Sequence, residues 1–272
     1  MAQKLSPGIN RSLNRVLSSW KDWLGNSATK PVLVSQLGGH TNLSFRVTDG
    51  ISSWVVRLNS ELADEGKDLQ SEIIAHQAAY RAGIAPAIVY SNSECLVTEF
   101  LEGGKPGLDD LPEIGRLFSL IHSVDVDIRS LNLANHLETY FLQAKPDASI
   151  TRCFNKLLDI PSMETDIKVL CHQDLTLENM IRTEERIVTI DWEYASLSDP
   201  AFDLAVFSYS HDLGERQLSQ LLTHYDGNVP DLLPRIHYFE MIYGMLEILW
   251  WQIRGSRLEN KITNLQNQLG SW

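Results

Sequence analysis

The run of short apolar segments over residues 31–58 constrains the fold most. PVLVSQL, LSFRV and WVVRL are each of strand length, and GGHTN and TDGISS separate them. Gly38-Gly39 lies in the first separator and Asp49-Gly50 in the second, where glycine allows a positive φ at little cost. Short apolar runs joined by such turns are typical of antiparallel strands. The sequence therefore predicts a meander of three strands here.

The rest of the chain changes from strand to helix periodicity. Residues 68–82 carry apolar side chains at helical spacing, and two further strand-like runs lie in IAPAIVYSNSECLVTEFLEGG. Beyond the glycine-rich stretch that ends at Gly107, most segments have helical spacing. A chain of 272 residues with 43% hydrophobic content can bury the cores of two lobes. We therefore predict an α+β fold with a small antiparallel-sheet lobe over residues 1–102 and a mainly helical lobe over residues 103–272.

Charge and cysteine content limit the partners and the compartment. The formal net charge is −12, which disfavours nucleic acid and anionic membranes and favours small cations. The three cysteines lack metal-binding spacing, which indicates a reducing compartment and a cytoplasmic location. The most apolar run, 241–251, is too short to span a bilayer. We expect no nucleic-acid or membrane partner, and the sequence leaves open a monomer or a homodimer.

One motif has the composition that phosphoryl transfer requires. His172, Asp174 and Asn179 form an HxDxxxxN pattern, and Asp191 follows in IVTIDWE at the end of an apolar strand. Phosphoryl transfer needs a base beside the acceptor hydroxyl and oxygen ligands for a divalent cation. Asn and Asp oxygens suit Mg²⁺. The pattern alone also fits a capped turn, so the surrounding segments are needed to distinguish the two.

Those segments resemble a known superfamily. LCHQDLTLENMI followed by TIDWEYASLSDPAFDLA is similar to the signature of choline kinases and aminoglycoside phosphotransferases. GGHTN resembles the nucleotide loop of that superfamily, and LVTEFLEGG resembles the hinge between its lobes. The resemblance covers most of the chain. It implies a two-lobed, protein-kinase-like fold that uses ATP and Mg²⁺.

The resemblance also implies roles for the motif residues. Asp174 would be the catalytic base, and His172 would hold the catalytic loop by hydrogen bonds. Asn179 and Asp191 would bind the metal ion, with Glu193 as a weaker candidate. Asp199, before Pro200, is better explained as a helix cap.

The N-terminal lobe holds the predicted nucleotide contacts. Arg57 resembles the residue that binds the α/β-phosphates in related kinases, and Glu72 would be its ion-pair partner. The alternative is a surface arginine on an edge strand. Most kinases have lysine there, whereas choline kinase relatives also show arginine. The full predicted set for ATP is Gly38, Gly39, Thr41, Asn42, Arg57, Glu72, Glu99 and Leu101.

Aromatic and acidic residues near the C-terminus are candidates for the acceptor site, because aromatic faces and carboxylates bind organic cations. The predicted contacts are Tyr194, Tyr243, Glu247, Trp250 and Trp251. The spacing of several of them fits a helical core stripe equally well. We expect phosphorylation of a small cationic amino alcohol, choline or ethanolamine first. The alternative acceptors are thiamine and an aminoglycoside. The alternative functions are a hydrolase and a non-catalytic, kinase-like binding module.

Overall fold

A computed structural model describes residues 7–25, 29–38, 43–59 and 68–272. The chain divides into two compact units. Unit 1 comprises residues 1–64 and 85–104, and unit 2 comprises residues 65–84 and 105–272. The segment 65–84, which contains the first helix after the strand meander, thus belongs with the later helices.

Unit 1 contains two helices and one antiparallel sheet in its described part. The helices are α1 (Pro7–Ser18) and α2 (Trp20–Leu24), and the strands are β1 (Val32–Gln36), β2 (Leu43–Thr48), β3 (Ser53–Leu58), β4 (Ile88–Ser91) and β5 (Cys95–Glu99). The strand order is β1-β2-β3-β5-β4. The predicted three-strand meander and the two further strands therefore form one five-stranded sheet.

The core of unit 1 lies between α1, α2 and one face of this sheet. Phe45 and Val47 of β2 are fully buried, whereas Ser44 and Arg46 point to the other face, as strand alternation requires. Val56 on β3 is also fully buried. The helical stripe of α1 covers this face, and its buried members are Leu13, Val16 and Leu17.

Unit 2 is mainly helical. Its helices are α3 (Leu69–Arg81), α4 (Leu111–His122), α5 (Leu133–Ala144), α6 (Ala148–Leu158), α7 (Pro200–Ser210), α8 (Glu215–Thr223), α9 (Leu232–Ile253) and α10 (Glu259–Ser271). Two short antiparallel pairs accompany them, β6 (Val169–Cys171) with β9 (Ser196–Ser198), and β7 (Met180–Arg182) with β8 (Ile187–Thr189). Short 3₁₀ turns span Leu108–Asp110 and Leu177–Asn179.

Helix α9 is the centre of unit 2. It packs against α5, α6, α7 and α10, and most of its 22 residues are apolar and at least half-buried. Helix α7 is buried over nine consecutive residues, so it lies inside the unit. Its first turn is capped by Asp199, which accepts a hydrogen bond from the Ala201 N–H at 3.0 Å, as predicted. A polar side chain on α7 is therefore placed rigidly.

The structure confirms the predicted α+β class, with a small antiparallel sheet followed by a mainly helical region. The described part of the chain contains no helix long and apolar enough to cross a bilayer. Cys95, Cys153 and Cys171 are buried free thiols.

The contact between α4 and α8 generates a test of this packing. A Cβ at Gly115 would lie 2.4 Å from the Leu221 carbonyl oxygen, so the two helices must separate to admit it. We expect Gly115→Ala to lower the free energy of unfolding by about 1–3 kcal/mol in urea denaturation. The control is Gly270→Ala on α10, where a Cβ meets nothing within 4 Å and the change should be neutral or slightly stabilising. Equal stability of both variants would contradict the close packing.

Candidate functional site

The predicted catalytic loop follows β6 and ends in the 3₁₀ turn Leu177–Asn179. Within it, the Asn179 side-chain amide donates to the Asp174 backbone carbonyl at 2.7 Å and to its carboxylate Oδ2 at 3.0 Å. Both side chains are partly exposed. The five-residue spacing thus brings the predicted base and one predicted metal ligand into direct contact.

These two bonds also orient the Asn179 amide. Its nitrogen is committed to Asp174, so its oxygen is the atom that would bind a cation. Because an amide oxygen is a hard neutral ligand, the donor set fits Mg²⁺. The Ile190 N–H donates to the Asn179 carbonyl at 2.9 Å, which ties this turn to the residue before Asp191.

Asp203 on α7 anchors the start of the catalytic loop. Its fully buried carboxylate accepts the backbone N–H of His172 at 3.0 Å and of Gln173 at 2.8 Å. His122 Nε2 lies 3.3 Å from the same carboxylate, and His122 Nδ1 lies 2.8 Å from the Tyr225 hydroxyl. Burial alone would raise the pKa of Asp203, but these hydrogen bonds outweigh it and lower the pKa. Asp203 therefore holds the loop as an ionised carboxylate.

His172 supports the loop from inside the protein. Its ring is fully buried, lies 4.7 Å from the Trp192 ring centroid, and donates from Nε2 to the Ile190 carbonyl at 2.9 Å. Burial lowers its pKa, because the charged imidazolium would be poorly solvated there. A neutral, enclosed ring suits the loop-holding role predicted for it rather than proton transfer.

Asp191 and Glu193 follow β8. Asp191 is partly exposed and has a φ of +65°, in the left-handed region, and Gln173 beside Asp174 has a φ of +70°. Two non-glycine residues in this region, one at each segment of the motif, indicate backbone strain fixed by the surrounding bonds. Glu193 is buried. Both carboxylates lie close enough to His172 for their charges to oppose the lowering of its pKa.

Two cationic side chains of the protein cover aromatic rings near the predicted acceptor contacts Glu247 and Trp250. The Tyr209 hydroxyl on α7 donates to Glu247 Oε2 at 3.0 Å. Lys261 on α10 places its ammonium 3.2 Å from the same oxygen and 4.2 Å from the Tyr209 ring centroid. Arg254 covers the Trp250 ring in the same way, at 3.4 Å. Aromatic faces and a carboxylate here thus bind cations supplied by the chain itself.

Tyr243 connects these residues to the catalytic loop. Its ring packs edge-on against Tyr209 at 5.4 Å between centroids. Burial raises the pKa of Tyr243, and the negative charge of Asp174 raises it further. Trp251 contacts Trp250 edge-on at 5.0 Å. Tyr194 is partly exposed, in the segment between Asp191 and β9.

The nucleotide candidates are only partly described. Gly39, Thr41 and Asn42 lie outside the described residues, and Gly38 is exposed. Arg57 on β3 is buried in unit 1, and Glu72 on α3 is buried in unit 2, so their ion pair stays a prediction. Glu99 lines a depression in unit 1 with Trp54 and Phe100, and its N–H donates to the Ala87 carbonyl at 2.9 Å. Leu101 follows β5 and is half-buried.

Sequence reasoning missed several contributors to the site. Tyr209 lies one residue before the end of the mostly apolar helix α7, and Lys261 lies in a polar stretch with no motif. His122 and Tyr225 also carry no local signal, because their contact with Asp203 is long-range. Only Asp203 had a signal, since it belongs to the DPAFDLA segment.

His211 is another missed residue. Its Nε2 accepts the Leu177 N–H of the catalytic loop at 3.0 Å, which requires an unprotonated nitrogen. Burial lowers the pKa of His211; the charge of Glu178 opposes this and that of Lys105 adds to it. Glu178 and Lys105 form an exposed ion pair with each other.

Comparison with known proteins bears on the family and the fold of this chain. The family described as "Phosphotransferase enzyme family" matches residues 34–238. The protein LicA homolog of Mycoplasma capricolum subsp. capricolum is 23% identical over 196 residues, which are 69% of this chain and 78% of that protein.

Solved structures share the fold at lower identity. Choline kinase LicA from Streptococcus pneumoniae superposes with a TM-score of 0.77 at 19% identity, covering 96% of this chain and 100% of that one. An aminoglycoside phosphotransferase, APH(4)-Ia, in a ternary complex with AMP-PNP and hygromycin B, gives a TM-score of 0.66 at 17% identity, with 94% and 97% covered. These likenesses confirm the predicted kinase-like fold.

The His211 contact predicts a pH-dependent stability. Since its pKa is lowered by folding, stability is full above the ordinary histidine value near 6.5 and falls as pH drops toward the folded value. His211→Gln keeps an acceptor for Leu177 but cannot titrate. We expect its melting temperature to fall less than that of the wild type between pH 7.5 and 5.5, by roughly 1–3 °C.

Differential scanning calorimetry across this range measures the effect. Buried His172, whose pKa is also lowered, contributes to the pH dependence that the variant retains. His224→Gln, at the end of α8, serves as the control and should follow the wild type. Parallel curves for wild type and His211→Gln would show that His211 does not accept from the loop.

Proposed function

This chain belongs to the phosphotransferase enzyme family, as its sequence resemblance implied, and on that premise we propose that it transfers the γ-phosphoryl group of ATP to the hydroxyl of a small cationic amino alcohol, with choline or ethanolamine preferred. It is a small-molecule kinase by family. The acceptor, the metal ion and the roles of individual residues are proposed.

The observation that carries the proposal is the continuity from Asp174 to a cation-binding cluster. Asp174 acts electrostatically on Tyr243, Tyr243 packs on Tyr209, and Tyr209 with Glu247 holds an ammonium group. An amino alcohol has its hydroxyl and its cation a few bonds apart. The proposal therefore pairs the hydroxyl of the acceptor with Asp174 and its cation with the cluster of Tyr209 and Glu247.

In the proposed reaction, Asp174 is the general base. Its carboxylate accepts the proton of the acceptor hydroxyl as that oxygen attacks the γ-phosphorus. The bond from the γ-phosphorus to the β,γ-bridging oxygen breaks, and ADP leaves with the electron pair. The Asn179 amide donates to Oδ2 of Asp174 and so orients that carboxylate.

Oxygen atoms of Asn179 and Asp191 would hold Mg²⁺, with Glu193 as a further candidate. The metal ion, when bound, neutralises charge on the phosphates. Arg57 is the proposed α/β-phosphate contact, and the GGHTN loop that contains Gly38 is the proposed backbone contact. The nucleotide itself is supported by relatives of the same fold, one of which holds AMP-PNP.

The acceptor panel tests the proposal. Purified protein with ATP and Mg²⁺ is given choline, ethanolamine, thiamine or kanamycin, and ADP release is measured for each. We expect the highest kcat/KM with choline or ethanolamine. In Asp174→Asn, turnover should fall by about 10²–10⁴-fold, because the base is lost. Asp159→Asn, an exposed acid at the end of α6, is the control and should retain full activity.

Other outcomes of the panel would indicate a different acceptor, a different reaction or a different base. Preference for thiamine or kanamycin would replace the amino-alcohol assignment while leaving the kinase assignment intact. Phosphate released at the same rate without any acceptor would indicate a hydrolase. Wild-type turnover in Asp174→Asn would remove Asp174 from the role of base.

Asp191→Asn tests the metal site. The substitution removes a charged oxygen ligand at nearly constant volume, so the gain in ATP affinity that Mg²⁺ provides should be largely lost. Isothermal titration with ATP, in Mg²⁺ and in excess EDTA, measures this gain. Asp174→Asn is the matched control and should bind ATP with Mg²⁺ as the wild type does. A full Mg²⁺ effect in Asp191→Asn would show that the metal binds elsewhere.

A further inference from the structure

The cation in the Tyr209–Glu247 cluster belongs to the protein. Lys261 contacts both groups that define the cluster, the Glu247 carboxylate at 3.2 Å and the Tyr209 face at 4.2 Å. The Tyr209 hydroxyl donates to Glu247 and so fixes the carboxylate beside the ring. A carboxylate and an aromatic face arranged around one ammonium group form a binding site for an organic cation. Lys261 fills that site from the first turns of α10.

The geometry of Tyr209 is fixed by its surroundings. A Cβ at Gly244 would lie 3.0–3.2 Å from the Tyr209 ring, so the ring packs directly on the backbone of α9. Burial, together with the negative charge of Glu247, raises the pKa of its hydroxyl, so Tyr209 remains a neutral donor. The aromatic face and the carboxylate therefore stay in place when the ammonium group moves.

Lys261 itself is the movable part. Its side chain is 38% exposed and Glu247 is 26% exposed, so solvent reaches the pair. A lysine ammonium on a flexible four-carbon stem is held weakly by such a pair, since exposed ion pairs and exposed cation–π contacts each contribute little. An external cation of higher affinity can therefore displace it.

On this basis we propose that Lys261 is a specificity-determining residue that acts as a tethered competitor for the cationic acceptor. The acceptor's ammonium group takes the place of the Lys261 ammonium between Tyr209 and Glu247. This inference rests on the proposed function for its substrate class. It predicts that the lysine raises the KM for cationic acceptors and discriminates against compounds that bind the cluster too weakly to displace it.

The kinetic test uses Lys261→Met, which keeps much of the side-chain volume and removes the charge. We expect the KM for choline to fall by roughly three- to tenfold, since the competing ion pair and cation–π contact are gone. The KM for ATP should remain unchanged. Lys261→Arg retains a cation and should restore the wild-type KM. Lys168→Met is the matched control, because Lys168 forms an ion pair with Glu164 at comparable exposure elsewhere in unit 2.

A binding test separates this inference from the proposed function. Tetramethylammonium chloride is titrated into wild type and Lys261→Met, and binding is followed by calorimetry in the absence of ATP. Tighter binding to the variant supports the inference even if no amino alcohol in the panel is phosphorylated. The neutral carbon isostere of choline should show no gain from the substitution.

Three results would overturn the proposal. One is equal tetramethylammonium affinity, or no binding, in both proteins. Another is an unchanged or higher choline KM in Lys261→Met with a lowered melting temperature, which would make Lys261 only a link between α10 and α9. The third is the same fall in KM in Lys168→Met, which would attribute the effect to net charge.

Discussion

The buried carboxylate of Asp203 is the constraint on which the catalytic loop depends. It accepts the two consecutive N–H groups of His172 and Gln173, and it is completely shielded from water. An ionised group at such a site is stable only when its lone pairs are satisfied, and removing one partner leaves an uncompensated charge. His122, held in turn by Tyr225, occupies the remaining side. The position of Asp174, one residue beyond Gln173, is therefore set by α4 and α7 rather than by the loop itself.

This anchoring explains how two non-glycine residues persist in left-handed conformations. Gln173 and Asp191 each cost conformational energy at their positive φ, on the order of 1–3 kcal/mol. The Gln173 N–H is held by Asp203 and its side-chain amide donates to Ser196, while the neighbour of Asp191 is held by Asn179. Each strained residue thus lies between fixed hydrogen bonds. The strain turns Asp174 and Asp191 out of the directions that a regular strand would give them.

The sequence predicted what depends on local pattern. The five strands of unit 1 follow from alternation and turn residues, and the Asp199 cap follows from the Asp-Pro pair. The HxDxxxxN spacing singled out Asp174 and Asn179, but not the hydrogen bond between their side chains. Other contacts join residues between 14 and 103 positions apart, and they involve His122, Tyr225, Tyr209 and Lys261. Some of these residues lie on helices whose own pattern indicates only core or surface. No periodicity encodes such pairs, because they form only when packing fixes the relative rotation of α4, α7, α9 and α10. Local sequence thus specifies the chemistry, and tertiary packing selects which cations and carboxylates meet.

Tyr243 combines a local sequence pattern with long-range packing. Its position on α9 was predicted for substrate contact and also fitted a core stripe, and the structure shows the core packing. It is mostly buried against Tyr209 and Phe202, yet the charge of Asp174 still acts on its pKa. A side chain in this position links the packing of the helical core to the surroundings of Asp174. Under the proposed function, changes in α7 or α10 that rotate Tyr209 would alter which acceptor fits without altering any residue of the HxDxxxxN motif. Such separation of acceptor choice from phosphoryl chemistry is what one phosphotransferase fold needs if it is to serve different small-molecule hydroxyls.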